Sequence, residues 1–266
     1  MEFDFLTTLL IVCPLVFLGG LVDAIAGGGG LITLPAFLIA GVPAHMALGS
    51  NKLASMIGTS VSTFRLWRAG FLKVREALPA VFCAFIGSAV GARIALLVPE
   101  EVFRYILIVL LPFAAIVVFR KSAIPAEGEE MEKSKRLAIV AAMSLLCGAY
   151  DGFYGPGAGT FMLLSYTILA RMGVREASGQ MKAVNLSSNL AAFATFALSG
   201  EVIWALGLIA GCFSIAGHYI GAAPRNAGCR TPRSRPGRSP GVAPIERKDR
   251  SWTTSIKLKP SAPSAT

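Results

Sequence analysis

Charge is what this sequence has least of. Asp, Glu, Lys and Arg make up 15% of its 266 residues, against about 25% in a typical soluble domain. Histidine is rarer still. His45 and His218 are the two copies, and they form no metal-ligand spacing. Five cysteines (Cys13, Cys83, Cys147, Cys212 and Cys229) contain no Cys-x-x-Cys pair. Four of them lie in apolar runs and read as small buried hydrophobes rather than metal or redox ligands. There is no H-E-x-x-H, no G-x-S-x-G and no carboxylate pair on a soluble scaffold, so an enzyme is not expected. A run of four glycines lacks the following Gly-Lys-Ser/Thr of a phosphate loop, and the strand-then-helix context of a dinucleotide fingerprint is missing too. No metal and no cofactor is expected. The N-terminus, MEFDFLTTLL, lacks the basic n-region of a cleaved signal peptide, and residues 5–25 read as a retained span.

What the chain has is apolar length. Hydrophobic residues make up 54%, and mean hydropathy is +0.64. Apolar segments fall at about 5–25, 31–44, 47–64, 77–97, 104–120, 137–150, 158–170, 180–198 and 203–222. That pattern predicts an all-α polytopic membrane protein whose partner is the lipid bilayer. Net charge is +10, of which the stretch from Ala223 onward carries +8 and the rest +2. The basicity therefore says little about the apolar body. Trp67, Trp204 and Tyr105 lie near segment ends, where aromatic residues anchor at the membrane interface.

The sequence is organised around GGLVDAIAGGGGLITLP, residues 19–35. Each glycine costs a helix interior about 1 kcal/mol relative to alanine, so Gly27, Gly28, Gly29 and Gly30 together stop a helix. In lipid, a stopped helix is tolerated only where protein or a water-lined cavity satisfies the freed backbone groups. The break recurs at residues 148–165, GAYDGFYGPGAGTFMLLS, with Gly155, Pro156 and Gly157. Asp23 stands four residues before Gly27, as Asp151 stands four before Gly155. At an offset near 130, Ala47, Gly49 and Lys52 meet Ala177, Gly179 and Lys182, Gly70 meets Gly200, and Gly87 and Gly91 meet Gly217 and Gly221. The last two are Gly-x-x-x-Gly pairs, which let helices approach closely in lipid. A duplication is expected. It divides the chain into a first transmembrane repeat (1–120), a charged cytoplasmic linker (121–136), a second repeat (137–222) and a basic tail (223–266).

Loop charge bears on orientation. Arg65, Arg68, Lys73 and Arg75 place the 65–76 loop in the cytoplasm under the positive-inside rule. The 199–203 loop, its counterpart, has only Glu201, whereas the 171–176 loop has Arg171 and Arg175 and its own counterpart near 41–46 has no Lys or Arg. This flip predicts inverted repeats with glycine-broken helices, a secondary-transporter signature; parallel repeats are the alternative. The second half has no span equivalent to 104–120. The tail in its place is rich in Pro, Arg, Ser and Gly, a composition that stays disordered. Two readings stand: the final span was replaced, for example by a frameshift, or the tail is a cytoplasmic contact for anionic lipid or nucleic acid. The replaced span is the preferred reading, so no nucleic-acid partner is expected.

Lys52 and Lys182 are the strongest site candidates. A lysine inside a membrane segment is costly and by default has a partner and a job. Each follows a glycine at the start of a helical run, where helix N-termini favour anions. Two lysines and two broken helix ends predict an anion site near the midplane, with Ser50, Asn51 and Asn185 adding neutral hydrogen bonds. The bland alternative is that each lysine sits at a loop end and snorkels to the headgroups. Asp23 and Asp151 are read three ways: as proton or cation carriers, as ion-pair partners for the lysines, or as caps for the broken helices.

On GGLVDAIAGGGGLITLP, ALGSNKLASMIGTS with Arg68-Ala69-Gly70, GAYDGFYGPGAGTF and GQMKAVN, the sequence resembles the sulfite exporter TauE/SafE family of membrane permeases, of the toluene sulfonate uptake permease type. The resemblance spans about residues 5–222. It implies a multi-pass transporter of the bacterial inner membrane with two related halves. Its substrates would be sulfite, sulfonates or other small sulfur-containing anions, inorganic or organic. Position by position it points to Asp23, Gly27 to Gly30, Asn51, Lys52, Asp151, Gly155, Pro156, Gly157 and Lys182. Members of the family normally end with a further apolar span. The expected function is secondary transport of small anions by alternating access, with a coupling proton or sodium ion and a homodimer left open. The alternatives are a passive anion channel, and a truncated, non-transporting relic or assembly partner.

Overall fold

The computed structural model describes residues 4–119 and 131–222. Among the described residues there are nine helices and no strand. They are α1 (Phe5–Ala26), α2 (Gly30–Ile39), α3 (Ala44–Arg68), α4 (Val74–Leu97), α5 (Glu100–Phe119), α6 (Lys133–Phe153), α7 (Ala158–Ile168), α8 (Val174–Leu198) and α9 (Trp204–Gly221). The expected basic tail and most of the expected linker lie outside the described residues. Lys133, Lys135 and Arg136 open α6.

Among the described residues, four helices, α1, α4, α6 and α9, are long and apolar enough to cross a bilayer. The α2 and α7 helices have 10 and 11 residues. At about 1.5 Å per residue they reach roughly half of a 30 Å hydrocarbon layer. They are the pieces that follow the glycine breaks. Gly27 ends α1 with φ of 75°, and its N–H bonds back to the Asp23 carbonyl at 2.8 Å. The second break places Gly155 at φ 98° and Gly157 at φ 82°. Only glycine adopts these angles without strain.

The polarity of the body is inside out. The two 25-residue helices α3 and α8 pack against each other and bury Ser50, Asn51, Lys52 and Thr59 from one and Gln180, Lys182, Asn185 and Asn189 from the other. Large apolar residues such as Leu10, Phe82, Leu97, Val109, Leu146 and Leu198 face outward, as lipid requires. Cys83 is partly exposed and Cys212 exposed, whereas Cys13 and Cys147 are buried; the expectation of buried thiols holds for the latter two. Trp67 and Trp204 stand half-exposed at helix ends.

Packing is reciprocal between the halves. α1 packs on α9 and α4 on α6, while α3 packs on α9, α8 packs on α4, and α3 and α8 pack on each other. The α3 and α8 helices run antiparallel. Gly49, early in α3, lies against Phe196 at the end of α8, and the Thr63 hydroxyl, late in α3, donates to the Lys182 carbonyl early in α8 at 3.1 Å. Lys73 reaches Glu176 at 3.3 Å and Arg136 reaches it at 4.0 Å. The N-terminal ends of α4, α6 and α8 therefore share one end of the bundle.

At the opposite end, Glu100 holds the start of α3. Its carboxylate accepts from the Ala44 and His45 amides and pairs with His45 Nδ1 at 2.6 Å. His45 Nε2 lies 3.0 Å from the Ala95 carbonyl, and its ring stacks on Phe103. Pro43 precedes this helix and offers no side-chain cap, so Glu100 supplies one from a distance. Glu100→Ala is expected to lower stability by about 1–2 kcal/mol, the scale of a lost cap, in unfolding of the detergent-solubilised protein.

Candidate functional site

The two glycine breaks meet. A Cβ at Gly27 would fall 2.9 Å from the Gly159 carbonyl carbon, and one at Gly30 would fall 3.0 Å from the Pro156 Cα. The Thr160 hydroxyl donates to the Ala26 carbonyl at 3.1 Å, and Tyr150 donates to the Pro156 carbonyl at 2.7 Å. Glycine is required here by close approach as well as by angle. The contact sets the starts of α2 and α7 beside one another in the middle of the body.

Two buried ion pairs flank this junction, and each joins one half to the other. Lys52 of α3 lies 2.8 Å from Asp151 of α6. Lys182 of α8 lies 2.6 Å from Asp23 of α1 and also donates to the Asp23 carbonyl at 2.5 Å. The lysines are 2% and 1% exposed, which excludes the snorkelling alternative. They also stand more than two turns into their helices. The expectation that they begin helical runs is corrected: α3 and α8 start at Ala44 and Val174, because the polar first turns that apolar windows skip are helical too.

Of the three readings of the aspartates, the geometry places them as ion-pair partners. Asp23 also takes a second part, since its Oδ1 accepts from the Gly29 amide at 3.4 Å at the start of α2. Asp151 accepts from the Ser188 hydroxyl at 2.5 Å. His218 of α9 brings Nε2 to 3.1 Å from Asp23 Oδ2.

A narrow cavity of about 30 Å³ lies between these groups. At roughly 10–15 Å³ for one water, it holds two or so. Asp23, Gly27, Gly29, Gly30, Asn51, Lys52, Asp151, Gly155, Gly157 and Asn185 line it, all of them site candidates from the sequence. Lys182 stands one layer behind, on Asp23. Gly28 and Pro156 shape the breaks without facing the cavity. Ser50 stands apart from the cavity: its hydroxyl accepts from the Ile203 amide at 2.9 Å, anchoring the start of α9 to α3.

The sequence reading missed Thr33, Ser55, Thr59, Asn189, Ser214 and His218, which also line the cavity. None carries a local motif. Two buried polar atoms there, Thr33 Oγ1 and Asn51 Oδ1, have no hydrogen-bond partner among the described residues. A buried polar atom left without a partner costs about 1–3 kcal/mol, so both are available to something that enters. Each lysine ammonium carries three donors. Lys182 directs two at Asp23 and Lys52 directs one at Asp151, which leaves hydrogens of the Lys52 ammonium at the cavity edge.

Comparison with known proteins bears on the family of the chain. The family model for the sulfite exporter TauE/SafE matches residues 12–226. A probable membrane transporter protein of Sinorhizobium is 38% identical over 77% of this chain and 78% of its own length. One of Haemophilus influenzae is 35% identical over 77% and 80%, and YfcA of Escherichia coli K12, likewise a probable membrane transporter protein, is 32% identical over 77% and 74%. No solved structure matches. An all-helical body with apolar faces outward and buried ion pairs at its broken helices thus belongs with a family of membrane transporters: the chain is a member of the sulfite exporter TauE/SafE family.

Proposed function

We propose that this chain is a secondary transporter of small anions, sulfite and sulfonates foremost, in the bacterial inner membrane. The observation that carries the proposal is the junction of two glycine-broken helices beside two buried Lys–Asp pairs, with the Thr33 hydroxyl unpartnered at the same cavity among the described residues. Helix starts at α2 and α7 present backbone N–H groups and positive potential. The Thr33 hydroxyl, the amides of Asn51 and Asn185 and the spare hydrogens of Lys52 add donors. Each lysine is already neutralised by a carboxylate, so the anion meets oriented donors rather than two bare positive charges.

The halves are inverted repeats that rock about the site. The antiparallel course of α3 and α8, which hold the equivalent lysines, supports this. So does the gathering of Lys73, Arg136 and the 171–176 stretch at one end, which is the cytoplasmic end under the positive-inside rule. A cavity the size of two waters must widen to admit sulfite, and rocking supplies that opening.

The test is sulfite flux in proteoliposomes. Alternating access gives saturable uptake that accelerates when sulfite is preloaded on the far side. Flux without saturation or trans-stimulation means a channel, and no flux of sulfite or any sulfonate removes the anion reading. Thr33→Val is expected to fold normally, because its hydroxyl has no partner to lose. It should weaken sulfite affinity by about 10- to 100-fold, the scale of one hydrogen bond to a charged group.

A further inference from the structure

His218 is buried at 2% exposure in the last described helix. Two glycines make its space. A Cβ at Gly58 of α3 would fall 2.5 Å from Nδ1, and one at Gly20 of α1 would fall 2.9 Å from it. The same positions in the other half are filled differently. At an offset of 130, Ser88 stands where His218 does and Ser188 stands where Gly58 does. Those serines spend their hydroxyls on the Ser188 carbonyl, at 2.6 Å, and on Asp151. The imidazole is thus the point at which the two ion-pair sites differ chemically.

Both ring nitrogens face oxygen. Nε2 lies 3.1 Å from Asp23 Oδ2, and Nδ1 lies 2.9 Å from the Ser214 carbonyl and 3.3 Å from the Ser214 hydroxyl. A neutral ring is satisfied when Nε2–H donates to Asp23 and the Ser214 hydroxyl donates to Nδ1. A protonated ring is satisfied as well, with Nδ1–H donating to the Ser214 carbonyl. One hydroxyl rotation separates the two. The charged groups around it are Asp23 from α1, Lys52 from α3, Asp151 from α6 and Lys182 from α8. On α9 itself, Tyr219 turns outward beneath Arg65 of α3. The four buried charges sum to zero while the imidazole is neutral. An anion entering then leaves one uncompensated negative charge in a narrow site lined by buried side chains, which is costly.

We propose that His218 is the proton site of this transporter, so that one proton and one anion occupy the cavity together and cross together. The inference rests on the anion-transport reading. A proton on His218 turns the charge sum to +1, and the anion returns it to zero. Imidazole is the side chain whose charge ordinarily changes between pH 5 and 8. Linkage makes the effect mutual: if the proton tightens anion binding, the anion tightens proton binding by the same factor.

The full chain in detergent or nanodiscs tests this with methanesulfonate and ethanesulfonate, monoanions whose charge stays fixed between pH 5 and 8. Wild-type protein is expected to take up one proton for each anion bound in weakly buffered solution. Affinity should fall by up to tenfold per pH unit on the alkaline side. The chain has two histidines, so ¹⁵N-histidine NMR, assigned with His45→Gln, should show the His218 ring becoming protonated as anion is added. His218→Gln is expected to bind more weakly, with a flat pH profile and no proton uptake. Anion binding without proton uptake, or with the His218 signal unmoved, overturns the proton site and leaves anion transport standing. Absence of binding by both probes and by sulfite overturns the anion reading and this inference with it.

Discussion

Asp151→Ala is expected to destabilise the protein by about 3–5 kcal/mol, the cost of leaving one charge of a buried pair without its partner. Lys52 is left in a site where it is 2% exposed, without the carboxylate that was 2.8 Å away. Lys52→Ala should cost a similar amount by stranding Asp151. Replacing the whole pair is different, because apolar side chains of similar volume often match or exceed a buried pair in stability. Lys52→Met combined with Asp151→Leu should therefore recover most of the lost stability while transport stays lost. Chemical unfolding in micelles, run beside proteoliposome flux, separates the two effects. Recovery of both stability and flux in the double variant would mean that the pair is structural only. A corollary concerns removal of both lysines: it strands two carboxylates and is expected to unfold the protein, so loss of flux in that variant says nothing about binding.

Gly91→Val should be the most damaging substitution on the outer helices. Gly87 and Gly91 of α4 lie on the backbone of α6, against the carbonyls of Leu145 and Ala149, and Gly148 and Gly152 of α6 return the contact on Ala84 and Ser88. A Cβ at Gly91 falls on the Ala149 carbonyl and 2.8 Å from its carbon. Backbone cannot swing aside as a side chain can, so the helices must separate. Overpacking of this kind costs about 1–3 kcal/mol and at times more, and here it also displaces α6, which carries Asp151. Gly91→Val is expected to lower the melting temperature and to abolish anion flux together. Gly70→Val, at a turn with nothing within 4 Å of the added Cβ but with φ of 79°, should cost only local backbone strain and keep flux. Equal damage from both would show that the glycine interface is not the determinant.

Much of this architecture was legible in the chain. All nine apolar segments correspond to helices, because an apolar run in lipid has no alternative that satisfies its backbone. The breaks were legible because glycine and proline act locally. The lysines stood out because the same residue recurs at the same offset. What escaped was whatever depends on distance in space. Nothing near Lys52 in the sequence names Asp151, ninety-nine positions away, as its partner rather than Asp23. Ser50 looked equivalent to Asn51 until its hydroxyl was seen to hold the start of α9. Thr33 sits in an apolar stretch, and only the fold turns it toward the cavity. His218 was invisible for the same reason: an isolated histidine acquires meaning from Asp23, which lies 195 positions earlier. The first turn of α8, with Arg175 and Glu176, was left out of its helix because apolarity marks what lies in lipid rather than where a helix begins.

The crossed pairing of Lys52 with Asp151 and Lys182 with Asp23 has a consequence for the history of the chain. When residue i of one unit holds residue j of another, and j of the first holds i of the second, the contact is isologous, the signature of a two-fold dimer. One repeat on its own carries an aspartate and a lysine that its neighbour is positioned to complete. Two copies of a half-length protein would have closed both pairs at once, with no linker. Fusion of two such copies would then have freed them to diverge, which an identical pair of subunits cannot do. His218 opposite Ser88 is the kind of difference that such freedom would allow at two equivalent seats.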